Sequence, residues 1–317
     1  MGDKYDLNLS YEEYRKYAIE RTAVEEPRFD AKDYECQYPD LVYEIEDDGK
    51  NYHNRLDLYL PFEDSANKPL LIYIHGGAFT MGTKRCSIRP LVMRDYGYAV
   101  AMVEYTKATE AAFPTQIRQV KQAIAFLREN ADQYGIDAGR FAIYGESAGG
   151  NLAALAGVSG NRELFGLTKQ RDYSVQAVIT DFAPINFASV NEQLQVLGMS
   201  IPTDLMSAGY YSSLYLGGFM HEYPELVPPT NPETYIHEQC PPFYIQHGMK
   251  HQLPYLQAEH FAQELMNKIG KDKVYLSLLP GVGGGDDPDY FTEENTMAKI
   301  TFLNKIFHQY QKRGEAG

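Results

Sequence analysis

The sequence predicts an α/β fold: a mostly parallel central sheet of about eight strands, helices on both faces and a cap-like insertion. Three observations carry this. Short, continuously apolar runs read as strands buried on both faces of a parallel sheet. The longer segments between them carry apolar residues at helical spacing, which gives the βαβα order of such sheets. One stretch, 187–238, breaks that rhythm.

In chain order, residues 1–35 form an N-terminal helical segment. Ser10 with Glu13 makes a capping box, and Tyr11, Tyr14, Tyr17 and Ile19 follow at roughly helical spacing. Residues 36–317 form the main domain. Tyr38 to Ile45 and the alternating Leu56-Asp57-Leu58-Tyr59-Leu60 read as an antiparallel entry, stopped by Pro61. The buried runs are Leu70 to Ile74, Ala99 to Val103, Phe141 to Tyr144, Val178 to Ile179, Phe243 to Ile245 and Val274 to Leu279. Helical stripes join Ile117, Val120, Ala123, Ile124 and Leu127, then Phe261, Leu265 and Ile269, and Ile300 to Tyr310 closes the chain. The insertion is rich in Tyr, Met and Gly and carries the turn-forming run Pro228-Pro229-Thr230-Asn231-Pro232. It is placed over the carboxyl edge of the sheet, where open α/β sheets bind ligands.

With 317 residues, 44% hydrophobic and 23% charged, the chain can bury a large core, which excludes disordered and fibrous classes. The formal charge of −14 repels phosphate backbones and anionic bilayers, so neither nucleic acid nor membrane is an expected partner. The opening residues carry no apolar leader, and no run approaches about 18 consecutive apolar residues; a soluble, cytoplasmic protein is expected. Cys36, Cys86 and Cys240 are odd in number and widely spaced, matching neither a disulfide framework nor a zinc site. Asp286, Asp287 and Asp289 read as a solvated acidic turn. No metal and no cofactor is expected, and a monomer and a homodimer fit equally.

Two motifs carry chemistry. Gly145-Glu146-Ser147-Ala148-Gly149-Gly150 follows a strand and opens a helix. A serine on so sharp a turn needs small neighbours two residues before and two after it, which Gly145 and Gly149 supply. The helix N-terminus there favours a developing anion. His75-Gly76-Gly77-Ala78-Phe79 follows the run Leu70 to Ile74. Its glycines let backbone N–H groups of Gly76 and Gly77 join that of Ala148 around an oxyanion.

In these motifs the chain resembles the α/β-hydrolase superfamily, within it the carboxylesterase and lipase branch related to hormone-sensitive lipase. The resemblance runs from about Tyr43 onward, through Phe113-Pro114-Thr115-Gln116, Asn231-Pro232, Thr234-Tyr235-Ile236, Gln246-His247-Gly248 and the stretch Asp289 to Asn295. It implies an α/β-hydrolase fold, Ser147 as nucleophile, an oxyanion hole of Gly76, Gly77 and Ala148, and His75 holding the oxyanion loop.

A serine nucleophile needs a base, oriented by a carboxylate. The family carries its acid in a stretch like HGxxDxxVP. Here that stretch is His247-Gly248-Met249-Lys250-His251-Gln252-Leu253-Pro254, one residue shorter and without a carboxylate. The family's histidine stands in a GxGHG-like loop; here the loop runs from Pro280 to Pro288, with Gly284 at the position of the base. His251 is a surrogate candidate, with Asp286 and Asp287 as swapped acids. Glu146 is expected to pack or hydrogen-bond locally, and the remaining histidines to lie at the surface or in packing. The function read from this is a carboxylic-ester hydrolase acting on small esters, impaired or inactive for want of an acid and a base. The alternative is a non-catalytic binding protein of the same fold, taking a small-molecule ester or related apolar ligand. Met199, Met206, Tyr210, Tyr211, Tyr215, Phe219 and Met220 are candidates for an apolar-aromatic pocket wall, with core packing of the insertion as the equal alternative.

Overall fold

Eight strands form one sheet in the order β1-β2-β4-β3-β5-β6-β7-β8 in the computed structural model, which describes residues 9–22, 26–45, 53–62, 67–202, 208–285 and 287–314. The strands are β1 (Tyr38–Val42), β2 (Arg55–Tyr59), β3 (Lys68–Ile74), β4 (Ala99–Val103), β5 (Ile136–Glu146), β6 (Ala177–Asp181), β7 (Phe243–Gly248) and β8 (Val274–Leu279). β1 pairs antiparallel with β2 and β2 with β4, while β4, β3, β5, β6, β7 and β8 are parallel neighbours. The antiparallel entry thus joins the sheet through β4, because β3 crosses over to lie beside β5.

The helices are α1 (Tyr11–Arg21), α2 (Thr115–Glu129), α3 (Ala131–Tyr134), α4 (Ala148–Ser159), α5 (Val190–Val196), α6 (Ala208–Leu216), α7 (Leu256–Ile269) and α8 (Glu293–Gly314). The Ser10 and Glu13 capping box is formed at the start of α1. The strand residues divide between two layers of core. Leu70, Ile72 and Ile74 face one side, with α2, α4 and α7; Leu71, Tyr73 and Tyr144 face the other, with Phe302, Leu303 and Ile306 of α8. Fully burying one such aliphatic or aromatic side chain contributes about 1.5–3 kcal/mol.

The segment 187–238 holds α5, α6 and short 3-10 turns. Asn151 of α4 ties it down, donating to the carbonyls of Pro184 and Thr230 at 2.8 and 3.1 Å while the Tyr215 hydroxyl donates to its Oδ1 at 3.3 Å. α1 lies against the same segment: the rings of Tyr11 and Tyr14 sit 5.7 and 5.4 Å from that of Phe219. Among the described residues, no helix is long and apolar enough to cross a membrane.

Candidate active site

Strand register brings the chemistry to one edge. Ile74 pairs with Gly145, Glu146 with Asp181 and Asp181 with Gln246, so the segments after β3, β5, β6 and β7 leave the sheet side by side. Ser147 stands between β5 and α4 with φ 51° and ψ −120°, a conformation that costs a non-glycine residue about 1–3 kcal/mol. Its N–H donates to the Asp181 carbonyl at 2.9 Å, which pins the turn to β6. Glycine is required around it. A Cβ on Gly145 would come within 2.1 Å of the Gly149 carbonyl oxygen, and one on Gly149 within 2.1 Å of that of Ile74.

The loop His75 to Phe79, the expected oxyanion loop, lies directly against this turn. A Cβ on Gly76 would be 3.3 Å from the Ser147 Cβ. Gly77, Ala78 and Phe79 all take positive φ. Among the described residues no backbone carbonyl outside helices and strands accepts from the N–H groups of Gly76, Gly77 or Ala148. Glu104, at the end of β4, holds the loop: it bonds His75 Nε2 at 3.1 Å, accepts from the Lys84 N–H at 3.1 Å and pairs with Lys107. Burial alone would raise the Glu104 carboxyl, but the Lys107 charge and the hydrogen bond from His75 hold it well below the usual range. Burial, then the Lys107 charge, lowers the His75 imidazole. It stacks on Tyr105 at 4.3 Å, and the Tyr105 hydroxyl donates to the His75 carbonyl at 3.0 Å. The resemblance to known esterases pointed to His75; nothing in the sequence singled out Glu104 or Lys107.

Ser147, Gly76 and Gly77 line a cavity of about 500 Å³ together with Glu146, His251 and Gly285. Its other wall comes from Arg28, Phe29 and Tyr34 of the N-terminal segment and from Arg89, none of which the sequence marked. Among the described residues, the insertion's aromatics are not in it. Tyr211, Tyr215 and Phe219 are buried in the main core, and Tyr215 stacks on Phe79 at 3.7 Å. Met220 packs against the same core, and Met199, partly buried, does not line the cavity. The core-packing alternative therefore holds for Tyr211, Tyr215, Phe219 and Met220; Met206 and the side chain of Tyr210 lie outside the described residues.

The loops after β7 and β8 are stitched together, with the Met249 N–H donating to Leu279 O at 3.0 Å and the Lys250 N–H to Val282 O at 2.9 Å. They are thus adjacent, as an acid and a base require. Among the described residues the surrogate pair is nevertheless not assembled. His251 Nδ1 accepts from the Leu253 N–H at 2.9 Å, so the ring's proton sits on Nε2, the wrong tautomer for accepting one from serine. Its ring stacks on Phe182 at 5.0 Å. Asp287 spends its carboxylate on its own turn, accepting from the N–H groups of Gly283 and Asp289, and Asp286 lies outside the described residues. Gly284 itself is exposed, and a Cβ there would meet nothing within 4 Å.

Burial pushes the His251 imidazole down to about 4. An unfolded histidine takes its proton near 6.5, so between these values the unfolded chain binds more protons. The stability His251 lends is complete above about 6.5 and is lost as pH falls toward about 4. From neutral pH to about pH 4.5, His251→Gln is expected to lose roughly 2–3 kcal/mol less stability than the parent, read by urea unfolding at both values. Equal losses would refute this.

Residues 56–265, about two thirds of the chain, match the BD-FAE family. The chain belongs to that family. The match runs from β2 into α7 and takes in the His75–Phe79 loop, Ser147 and the His251 loop. The BD-FAE chain is 31% identical to Esterase LipQ of Mycobacterium tuberculosis over 216 residues, which is 67% of this chain and 49% of that protein. It spans about half the length of the curated relatives it matches. Among solved structures, a bifunctional GH43-CE protein of Bacteroides eggerthii superposes with TM-score 0.74 at 26% identity, over 85% of this chain and 35% of that one. Esterase B of Lactobacillus rhamnosis superposes with TM-score 0.70 at 20% identity, over 95% of this BD-FAE chain and 94% of that one, and shares the α/β-hydrolase fold.

Proposed function

We infer that this chain is a carboxylic-ester hydrolase acting on small esters with slow turnover. The observation that carries the reading is the placement of Ser147, on a strained turn at the N-terminus of α4, with Gly76 of the oxyanion loop directly against its side chain. Ser147 Oγ attacks the ester carbonyl carbon, and the N–H groups of Gly76, Gly77 and Ala148 receive the oxygen as it gains charge. Collapse of the tetrahedral intermediate expels the alcohol, and water then releases the acid. The donors are preorganised by the Glu104 and Lys107 clamp, so they need no rearrangement as charge develops. A serine hydrolase without its acid and base retains about 10³–10⁴-fold acceleration over water from such donors and from binding.

Hydrolysis of p-nitrophenyl acetate and butyrate by the parent and by Ser147→Ala tests this. The parent is expected to turn both over slowly, and the variant to fall to background. Equal rates at background would sink the reading. They would favour a non-catalytic small-molecule-binding protein, whose supporting observation is the His251 tautomer, unsuited to act as a base.

A further inference from the structure

Two carboxylates meet beneath the nucleophile, and a lysine pairs with one of them. Glu146 and Asp181 are register partners on β5 and β6. Lys299 comes in from α8 and donates to Asp181 at 2.7 Å and to Gln246 at 2.9 Å. The Tyr144 hydroxyl also donates to Asp181, at 2.6 Å, and lies 3.4 Å from Glu146. Asp181 therefore takes the cation and the strong hydrogen bond. Both acids are buried, and like charges side by side in a low-dielectric site cannot both ionise cheaply. Glu146 is left as the member that holds a proton near neutrality. It is also the cavity's carboxylate, and it is joined through the backbone to Ser147.

We propose that Glu146 is the general base of this site, taking the Ser147 hydroxyl proton directly or through one water and passing it to the departing alcohol. In acylation the Oγ–H proton moves to the Glu146 carboxylate as Oγ bonds the acyl carbon, and it leaves on the alkoxide as the C–O bond breaks. In deacylation the attacking water gives its proton to Glu146, which returns it to Ser147 Oγ. The proposal rests on the esterase reading and supplies the base that reading lacks. Facing Glu146 are Tyr144 on its own strand, Tyr73 on β3, Asp181 on β6, Lys299 on α8 and Arg89, with His251 also lining the cavity. Burial first, then the Asp181 charge, pushes the Glu146 carboxyl up to about 7, against the opposing pull of Lys299 and Arg89. A base poised near the working pH is the favourable case.

Covalent labelling of Ser147 by a fluorophosphonate, followed by intact mass from about pH 5 to about pH 9, separates the two ideas. The parent is expected to label at Ser147 with a rate that rises through a midpoint near 7. Glu146→Gln should lower the rate about 10²–10⁴-fold and flatten the profile, while Glu146→Asp should keep a pH step at reduced rate. A parent that never labels overturns the esterase reading and this proposal with it. A Glu146→Gln variant with the parent's rate and profile overturns the proposal alone. Thermal unfolding gives an independent readout. A carboxyl raised in the folded state confers stability that is complete below its unfolded value and is lost as pH rises through about 7. Glu146→Gln, which keeps the neutral form, should therefore unfold at a higher temperature than the parent near pH 8.5, and this gain should vanish near pH 5. No gain at the higher pH would mean Glu146 is not the proton-holding member, and the proposal would fall.

Discussion

Replacing Gly284 by histidine, with an aspartate inserted after Lys250, is expected to raise the rate of p-nitrophenyl acetate hydrolysis by about 10²–10⁴-fold. Three features support the placement. The loops after β7 and β8 are already hydrogen-bonded to each other, so an acid in one and an imidazole in the other would be neighbours. A side chain at Gly284 starts in open space, and its backbone needs no positive φ. Its carbonyl keeps the bond from the Asp287 N–H at 2.9 Å, which no side-chain change disturbs. The next residue is a built-in control. Gly285 lines the cavity, but a Cβ there would come within 2.8 Å of the Phe182 ring, so Gly285→His is expected to disturb Phe182 and gain no activity. Adding Ser147→Ala to the repaired chain should erase the gain. A folded Gly284→His variant with the inserted acid and no increase in rate would show that these loops do not carry the positions assigned to them.

Gly149→Ala is expected to destabilise the chain by more than about 4 kcal/mol, or to prevent folding. Helix propensity alone predicts the opposite sign, since alanine is better than glycine inside a helix by about 0.8–1 kcal/mol. The close approach of α4 to β3 decides the matter. The new methyl would sit 2.1 Å from the Ile74 carbonyl oxygen and 2.4 Å from that of His75, and both are backbone atoms at the root of the His75–Phe79 loop that cannot swing aside. Separating α4 from β3 would also pull Ser147 away from Gly76. Gly284→Ala is the matched control, expected within about 1 kcal/mol of the parent because it adds a methyl to open space. Chemical denaturation of the two variants reads the contrast, and a Gly149→Ala chain with the parent's midpoint would mean that α4 does not seat on β3.

Most of the scaffold could be read from the sequence because its signals are local. The run Leu70 to Ile74 and the turn around Ser147 announce themselves by apolar continuity and by glycine spacing, and both stand where expected. The antiparallel entry was legible as two strands, but not its attachment to β4, since strand order depends on crossovers that no local pattern encodes. The same limit applies inside the site. Glu146 and Asp181 are 35 positions apart and Lys299 a further 118 from Asp181; only the strand register makes them a cluster. Tyr215 and Phe219 look alike whether they line a cavity or fill a core, because composition does not say which side of a segment is covered. Arg28, Phe29 and Tyr34 lie in a stretch without periodicity, so their place in the cavity wall was invisible.

The clamp on the His75–Phe79 loop has a wider meaning. Lys84, Glu104, Tyr105 and Lys107 all precede Ser147 in the chain, and none of the bonds described for them reaches the loops after β7 and β8. The bonds described for the His75–Phe79 loop are thus distinct from those of the loops where an acid and a histidine would stand. Sequence drift in the latter need not loosen the former. On the proposed reading, a site divided in this way can be rebuilt one half at a time, with the surviving half still shaped to receive an oxygen bearing charge.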